Sequence, residues 1–529
     1  MTQKYYLGVD VGSASVRAGI FNAKGQRLSF AVEEIDQYHP KTNFVEQSSS
    51  NIWKKVCVAT RTAIAESGVP TENICSLGFD ATCSLVACDE RGIGVSVSQN
   101  GEPDRDVIMW MDHRASDEAE KINATGHHAL RYVGGEVSVE MQLPKVFWLR
   151  KNFPDRYERI WRFFDLADYL VWRATGVDAA SVCTLTCKWN YLAHENKMPS
   201  DLLDLIGLRD LLPKIPPRVM QLGEAAGRVS ADAAKQLGLT EQVVVASGVI
   251  DAHAGGIALI GGDPEGGLAL ISGTSNCHMV VSAEPVMVPG VWGPYLNAML
   301  PNWWLSEGGQ SAAGALVDWT VSQCGFWPEL LQQAKERDTH PFSLLNDWVK
   351  DLQKVDQYPT RDLHVLGDHH GNRSPRANPN ARGLVSGLTL ETGPDFLARM
   401  YLATLQAVAY GTRHIVDEMT AAGHEISKVY ICGGATKNPV WLQEYANITG
   451  RDIQLAAEED MVTLGAAILG AVAAERFPSI HAACTALVRP GKRIQCDPQT
   501  RAFHDAKYEV YLKLYDEREH HKEIMGQWA

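Results

Sequence analysis

Several things are scarce or missing in this 529-residue chain, and each omission removes a class of protein. There is no block of basic residues: 49 Lys and Arg stand against 63 Asp and Glu, a net charge of −14, which argues against nucleic acid or an anionic membrane as the main partner. The opening Met-Thr-Gln-Lys-Tyr-Tyr lacks the apolar region of a signal peptide, and the most apolar later stretch, Leu464 to Ala474, is too short to cross a bilayer. A cytoplasmic protein is therefore expected. The eleven cysteines are scattered, odd in number and free of any C-x-x-C pair. Cys183 and Cys187 are four apart, but no second pair of ligands is near them in sequence, so zinc is not expected and reduced, mostly buried thiols are. Also absent are a G-x-x-x-x-G-K-S/T loop, a G-x-G-x-x-G fingerprint after the first strand, and H-E-x-x-H. A nucleotide bound here is not held by a P-loop or Rossmann scheme.

What is present is a short loop that occurs twice. Gly12-Ser13-Ala14-Ser15 follows the strand-like run Tyr6 to Val11, and Gly273-Thr274-Ser275-Asn276 follows Leu268 to Ser272. Each leads into another alternating apolar run, Val16 to Phe21 and His278 to Val281, so both read as β-hairpins. Glycine lets backbone amides approach an anion closely and the hydroxyls add donors, so each tip suits phosphate oxygens. Either tip alone would pass for an ordinary hairpin turn. Two of them, each near an aspartate (Asp10 and Asp251), suggest a nucleotide held between two related lobes.

The length requires more than one core. The first half alternates short strands (Ile74 to Phe79, Leu85 to Cys88) with helical patterns over Asp117 to Ala129, Pro144 to Arg150 and Arg156 to Thr175. A buried-looking strand, Val243 to Ser247, runs into the glycine-rich stretch Gly248 to Gly256. A boundary there gives lobes of residues 1–256 and 257–529. The second half repeats the scheme: hairpin, helix Asp395 to Met419, strand Lys428 to Cys432, the small-residue helix Thr463 to Ala474 and a charged helical tail, Ala502 to Met525. Mixed α/β architecture in two lobes around a cleft is expected.

Gly8-Val9-Asp10-Val11-Gly12-Ser13, the Gly273-Thr274-Ser275 tip and Cys432-Gly433-Gly434-Ala435 look like the phosphate and adenosine elements of the actin-like ATPase fold. More specifically, the chain resembles the FGGY carbohydrate kinases over residues 5 to about 475. Val139 to Leu149 is similar to that family's first signature, and Asn378-Pro379-Asn380-Ala381-Arg382-Gly383, then Gly387-Leu388-Thr389, to its second. The resemblance implies an α/β, two-lobed, ribonuclease H-like fold with ATP and sugar in the interlobe cleft. It implies Asp10 as the residue for Mg2+ and Asp251 as the catalytic base. The nucleotide elements are Gly12, Ser13, Gly273, Thr274 and Ser275 at the phosphates, and Gly433, Gly434 and Asn438 at the adenosine. Gly465-Ala466-Ala467 reads as close helix packing, and His253 as a packing or supporting histidine.

Polyol recognition needs many hydrogen-bond partners. The candidates are Asp80, Thr82, Asp112, Lys188, Glu307 and Gln310, together with Asp251. Their segments look closest to the pentulose kinases, ribulokinases in particular. The expected activity is ATP-dependent phosphorylation of the terminal C5 hydroxyl of a free ketopentose. D-ribulose comes first, because Asp-Ala-Thr-Cys-Ser at 80–84 and Gly371-Asn372-Arg373-Ser374-Pro375 look most like D-ribulose kinases. L-ribulose, ribitol and D-xylulose are the alternatives, and a non-kinase actin-like ATPase is a more remote one. A serine hydrolase built on Gly309-Gln310-Ser311-Ala312-Ala313 misses the nucleophile-elbow pattern at its last position. The partner expected is a small sugar, with no nucleic acid and no membrane. The sequence leaves the oligomeric state open, a homodimer being one such state.

Overall fold

The computed structural model describes residues 3–526 and 528, so the first two residues of the opening stretch lie outside it. Its first sheet begins with the predicted hairpin. Strands β1 (Tyr5–Val11) and β2 (Ser15–Phe21) pair antiparallel, and β3 (Arg27–Glu34) pairs antiparallel with β2. Strand β4 (Ile74–Ala81) then adds parallel to β1, and β5 (Val244–Ala246) parallel to β4, giving the order β3-β2-β1-β4-β5. Nearly every residue of β1 is buried, as in a central strand covered on both faces. Helix α1 (Ser49–Ser67), capped by the Ser48 side chain and closed by Gly68 in the left-handed region, covers one face through Ile52, Val56 and Ala63.

The second sheet repeats this plan. Strands β6 (Gly267–Ser272) and β7 (Asn276–Ser282) form its hairpin, and β8 (Trp304–Gln310) pairs antiparallel with β7. Strands β9 (Lys428–Cys432) and β10 (Ile453–Ala456) then add in parallel, in the order β8-β7-β6-β9-β10. The matching order and directions make the two halves copies of one ribonuclease H-like unit, as expected. Between β4 and β5 the first half carries a large insertion. It includes the short helix α2 (Val182–Lys188) and most of a four-stranded sheet.

Two helices cross between the units. Helix α3 (Asp251–Ile260) follows the first sheet but packs on β6 and β9 of the second. The 28-residue helix α4 (Pro394–Ala421) lies within the second unit. Helix α5 (Met461–Ala473) follows β10 yet packs on β1 and β4 of the first sheet and against α3. The expected boundary at residue 256 thus falls inside α3. The crossing is made backbone to backbone at glycines. A Cβ on Gly8 would lie 2.0 Å from the Thr463 carbonyl oxygen, one on Gly78 1.9 Å from that of Ala466, and one on Gly465 2.0 Å from that of Ala254. Gly465 therefore serves close helix packing, as the sequence suggested.

Two local expectations fail. The helical block read over Arg156 to Thr175 is a helix (Pro154–Arg159), a strand (Arg162–Asp165) and a second helix (Leu166–Thr175). The strand forms because it pairs antiparallel with Leu85–Cys88 and buries Phe163 and Phe164, which alternate across it. The helix read over Asp117 to Ala129 ends at Asn123, and Gly126 takes a left-handed turn at φ 59° before a 3₁₀ segment begins at His128.

Candidate active site

Carboxylates gather where β1 and β4 end. The parallel register sets Asp10 beside Asp80, both essentially inaccessible at 1% and 0% exposure. The hairpin register sets Arg17 opposite Asp10 on β2, and its guanidinium nitrogen lies 2.8 Å from Asp10 Oδ2. Burial pushes the Asp10 carboxyl up to about 6; Arg17 works against the shift, and Asp460 and Asp251 add to it. Asp80 is held well above the usual carboxylate range by burial and by Asp10, and among the described residues neither of its oxygens has a hydrogen-bond partner. Asp460 caps α5 through Thr463 N at 2.9 Å, while Asp251 opens α3 with Oδ1 accepting from Ala252 N at 2.8 Å. Two buried carboxylates with free oxygens at a strand end suit a hard divalent cation. The structure therefore moves Asp80 from the expected sugar group to the side of Asp10. Sequence reasoning missed Arg17 and Asp460. The four-residue tip of the first hairpin, Gly12 to Ser15, sets Val11 opposite Val16 and so already implies the Asp10–Arg17 pairing, whereas nothing local marked Asp460.

The first tip is held from outside. Its Ser13 carbonyl accepts from the Gln37 and Gln47 amides at 2.7 and 2.9 Å, and Trp110 Nε1 donates to Ser13 Oγ at 2.9 Å. The Ser13 hydroxyl thus keeps its own proton for an incoming acceptor. Trp110 is fixed in turn by Lys145, which is fully buried and donates to the carbonyls of Met109, Trp110 and Glu140 at 2.9, 3.2 and 3.3 Å. Gly12 N is already used, donating to the Ser15 carbonyl. At the second tip, Gly273 and Thr274 are exposed, and the amides of Ala313, Gly314 and Ala315 donate to their carbonyls. Gly433 adopts φ 91°, and a Cβ there would meet the Ser272 carbonyl at 2.5 Å; at Gly434 the nearest atom would be 3.9 Å away, leaving open space. Asn438 caps the following helix through Trp441 N at 3.1 Å and donates to Tyr401 Oη at 2.6 Å, so its side chain already has local work.

A second polar group lies beside Asp251. Lys188, at the end of α2, and Glu307, on β8, are each 6% exposed. Burial alone would depress the Lys188 ammonium, but Cys83, Glu307 and Glu140 raise it well above the usual range. Glu307, which burial would raise, is instead lowered by His253 and Lys188. His253 on α3 bridges two partners, with Nδ1 3.2 Å from Cys183 Sγ and Nε2 3.1 Å from Glu307 Oε2. Burial would keep its imidazole neutral, yet Cys183 and Glu307 raise it to about 10. Arg373, from the second half, pairs with Glu140 from the first at 3.1 Å and lies over the Trp110 and Trp292 rings. Lys188 also lies over the Trp292 ring, at 5.1 Å.

Two expected sugar contacts do not fit. Asp112 is fully buried and chelated by Arg114 at 2.7 to 3.0 Å, and it also accepts from Val45 N at 2.6 Å. It is a structural ion-pair partner. Gln310 accepts from Asn276 and Thr412 and donates to the Val408 carbonyl, which commits its amide inside the second unit. Thr82 stays near the carboxylates: its amide donates to the Val11 carbonyl at 2.9 Å, and its hydroxyl lies 3.2 Å from that of Ser84. Among the described residues no helix is long and apolar enough to cross a membrane.

The sequence and the fold both have matches among known proteins. Residues 5–258 match the N-terminal domain, and residues 268–474 the C-terminal domain, of the FGGY family of carbohydrate kinases. The human FGGY carbohydrate kinase domain-containing protein is 44% identical over 545 residues, covering 99% of this chain and 98% of that protein. A D-ribulokinase of Saccharomyces cerevisiae is 37% identical over 520 residues, covering 90% of this chain and 72% of that protein. Among solved structures, xylulose kinase from Rhodospirillum rubrum superposes with a TM-score of 0.79 at 22% identity, over 97% of this chain and 98% of that one.

Proposed function

Because this chain belongs to the FGGY family of carbohydrate kinases, we propose that it transfers the terminal phosphoryl group of ATP to the C5 hydroxyl of D-ribulose. The observation that carries the reading is the position of Asp251. It directly follows Val249 and Ile250, which pair in parallel with Asp80 and Ala81, and it comes two residues before His253, whose Nε2 lies 3.1 Å from Glu307 Oε2, so it joins the carboxylate group to the polar group. A base that accepts a hydroxyl proton during phosphoryl transfer belongs at such a junction. Burial raises the Asp251 carboxyl above its usual range, which makes it a better proton acceptor, and the Ala252 amide keeps its oxygens oriented.

Asp10 and Asp80 would hold Mg2+, whose charge offsets that of the phosphates when it is bound. Ser13 and the Gly273-Thr274-Ser275 tip donate to phosphate oxygens, and Arg17 keeps Asp10 ionised and in place. Gly434 leaves backbone open to the adenosine, next to Gly433, whose missing side chain lets the turn close on the Ser272 carbonyl. Lys188 donates to a sugar oxygen and Glu307 accepts from a sugar hydroxyl, each with its geometry set by buried neighbours. Trp110 and Trp292 form an apolar wall that excludes water. The yeast relative's name as a D-ribulokinase supports this choice of sugar.

A coupled ADP-release screen with MgATP tests the reading. An epimer with one misdirected hydroxyl leaves a buried polar group unpaired at a cost of about 1–3 kcal/mol, so D-ribulose should exceed D-xylulose by roughly ten- to a hundredfold in kcat/KM. Glycerol should be worse than both. If D-xylulose, L-ribulose or ribitol proves the best acceptor, the sugar assignment fails while the kinase assignment stands. Lys188→Met, similar in length but unable to donate, should lower kcat/KM for D-ribulose while the KM for ATP moves no more than about threefold.

The nucleotide side has its own test. Gly434→Val adds a side chain where there is open space, so the protein should fold normally. Its KM for ATP should rise by roughly tenfold or more with the sugar KM little changed. Equal effects on both would remove Gly434 from the adenosine site.

A further inference from the structure

Two cysteines one helical turn apart meet a histidine from another element in the protein interior. Cys183 and Cys187 occupy one face of α2, and His253 comes from α3. Their Sγ atoms and a ring nitrogen of His253 all lie within 4.8 Å of one another, with Cys183 Sγ 3.2 Å from Nδ1. All three residues are at most 1% exposed. Tetrahedral bonds of about 2.3 Å to sulfur and 2.0–2.1 Å to imidazole nitrogen place ligand atoms roughly 3.5 Å apart, so these three need little movement to share an ion. On the far side of the ring, Nε2 faces Glu307 Oε2 at 3.1 Å. A carboxylate behind a ligating histidine fixes the ring and aims the other nitrogen at the ion. Two thiolates also neutralise a divalent cation, which lets the site be buried without net charge.

We propose that Cys183, Cys187 and His253 form a binding site for one thiophilic cation of the Zn2+ class, with Glu307 orienting the histidine. The chain supplies three ligands and leaves a fourth position for water or another small donor. Binding forms two metal–sulfur bonds and one metal–nitrogen bond. It releases two protons to solvent, the one shared by Cys183 and His253 and the one on Cys187. Soft ligands separate this site from Asp10 and Asp80, whose hard oxygens favour Mg2+. The sequence spacing of the cysteines lacked a third ligand; α3 provides it from 66 residues beyond Cys187.

Co2+, a spectroscopic stand-in for Zn2+, tests the site in the full chain after treatment with chelator. The expected result is a thiolate-to-cobalt charge-transfer band that saturates at one equivalent and is bleached by Zn2+. The half-exposed cluster of His127, His128 and Asp201 contains no sulfur, so an ion there gives no such band. Cys183→Ser and Cys187→Ser should each abolish the band, and Cys496→Ser should leave it intact. Glu307→Gln should keep the band but weaken Co2+ affinity by roughly ten- to a hundredfold. Wild-type protein gives a readout that does not depend on whether the variants fold: calorimetry in buffers of different ionisation enthalpy should report two protons released per Zn2+. No band in the wild type, a band that survives in both α2 cysteine variants, or fewer than one proton released would overturn the proposal. Because none of these readouts uses turnover, they fail or succeed independently of the sugar assignment.

Discussion

Asp251→Asn should lower kcat by at least about a hundredfold while leaving ATP affinity and the thermal unfolding midpoint close to wild type. Asparagine matches the shape of aspartate and its Oδ1 can still accept from Ala252 N, so the start of α3 is preserved. What disappears is the group that takes the hydroxyl proton. The acid side of the pH profile gives a second readout with a definite sign. A base must be deprotonated to work, so wild-type turnover should fall as pH drops through the Asp251 pKa, which burial holds above the ordinary aspartate value of 3.8. The residual activity of Asp251→Asn should lose the part of that limb due to Asp251 and keep the part due to Asp10, whose carboxyl burial pushes up to about 6. Near-normal turnover in the variant would remove Asp251 from the base role.

Gly78→Ala should be among the most destabilising single-methyl additions in the chain. The new Cβ would sit 1.9 Å from the Ala466 carbonyl oxygen and 2.6 Å from its carbon, and both are backbone atoms of α5. A flexible side chain could swing away; a helix packed on β1, β4 and α3 has to shift as a body. Overpacking commonly costs about 1–3 kcal/mol, and a backbone obstruction belongs at or beyond the upper end. The thermal midpoint should fall by several degrees, with early proteolysis at the junction of the two units. Gly325→Ala is the control, since nothing lies within 4 Å of a Cβ there. Equal midpoints for the two variants would mean that α5 does not lie against β4 as closely as described.

Both predictions depend on the crossed helices, and the two residues concerned differ in how visible they were beforehand. Asp251 stood out because it follows a strand and opens a small-residue helix, both local patterns. Gly78 is one glycine inside an apolar strand, and its role appears once α5, nearly 400 residues later, is laid on β4. The same contrast runs through the site. Asp10, Ser13 and the second tip stand out in the sequence by their turn chemistry, whereas the hydrogen-bond partners of Asp112 and Gln310 are not near them in sequence. Val45 and Glu46 reach Asp112 and its partner Arg114 from 67 and 68 residues earlier, and Val408 reaches Gln310 from α4. A polar residue in a plausible segment does not reveal whether its hydrogen-bonding capacity is already used.

By itself, the amino-acid sequence determined the duplicated hairpins, their glycine and hydroxyl tips, the two-lobed α/β plan and the family signatures, because strand alternation and turn geometry are set by neighbouring residues. The strand at Arg162–Asp165 escaped it, since pairing with Leu85–Cys88 overrode a local helical pattern. Only the tertiary structure decided which charges meet: Asp80 with Asp10, Glu140 with Arg373, and His253 with Cys183 on one side and Glu307 on the other. These contacts join residues from 54 to 233 positions apart. Their energies depend on burial and on partners brought in by other elements, and neither is encoded in the spacing of residues along a short stretch of chain.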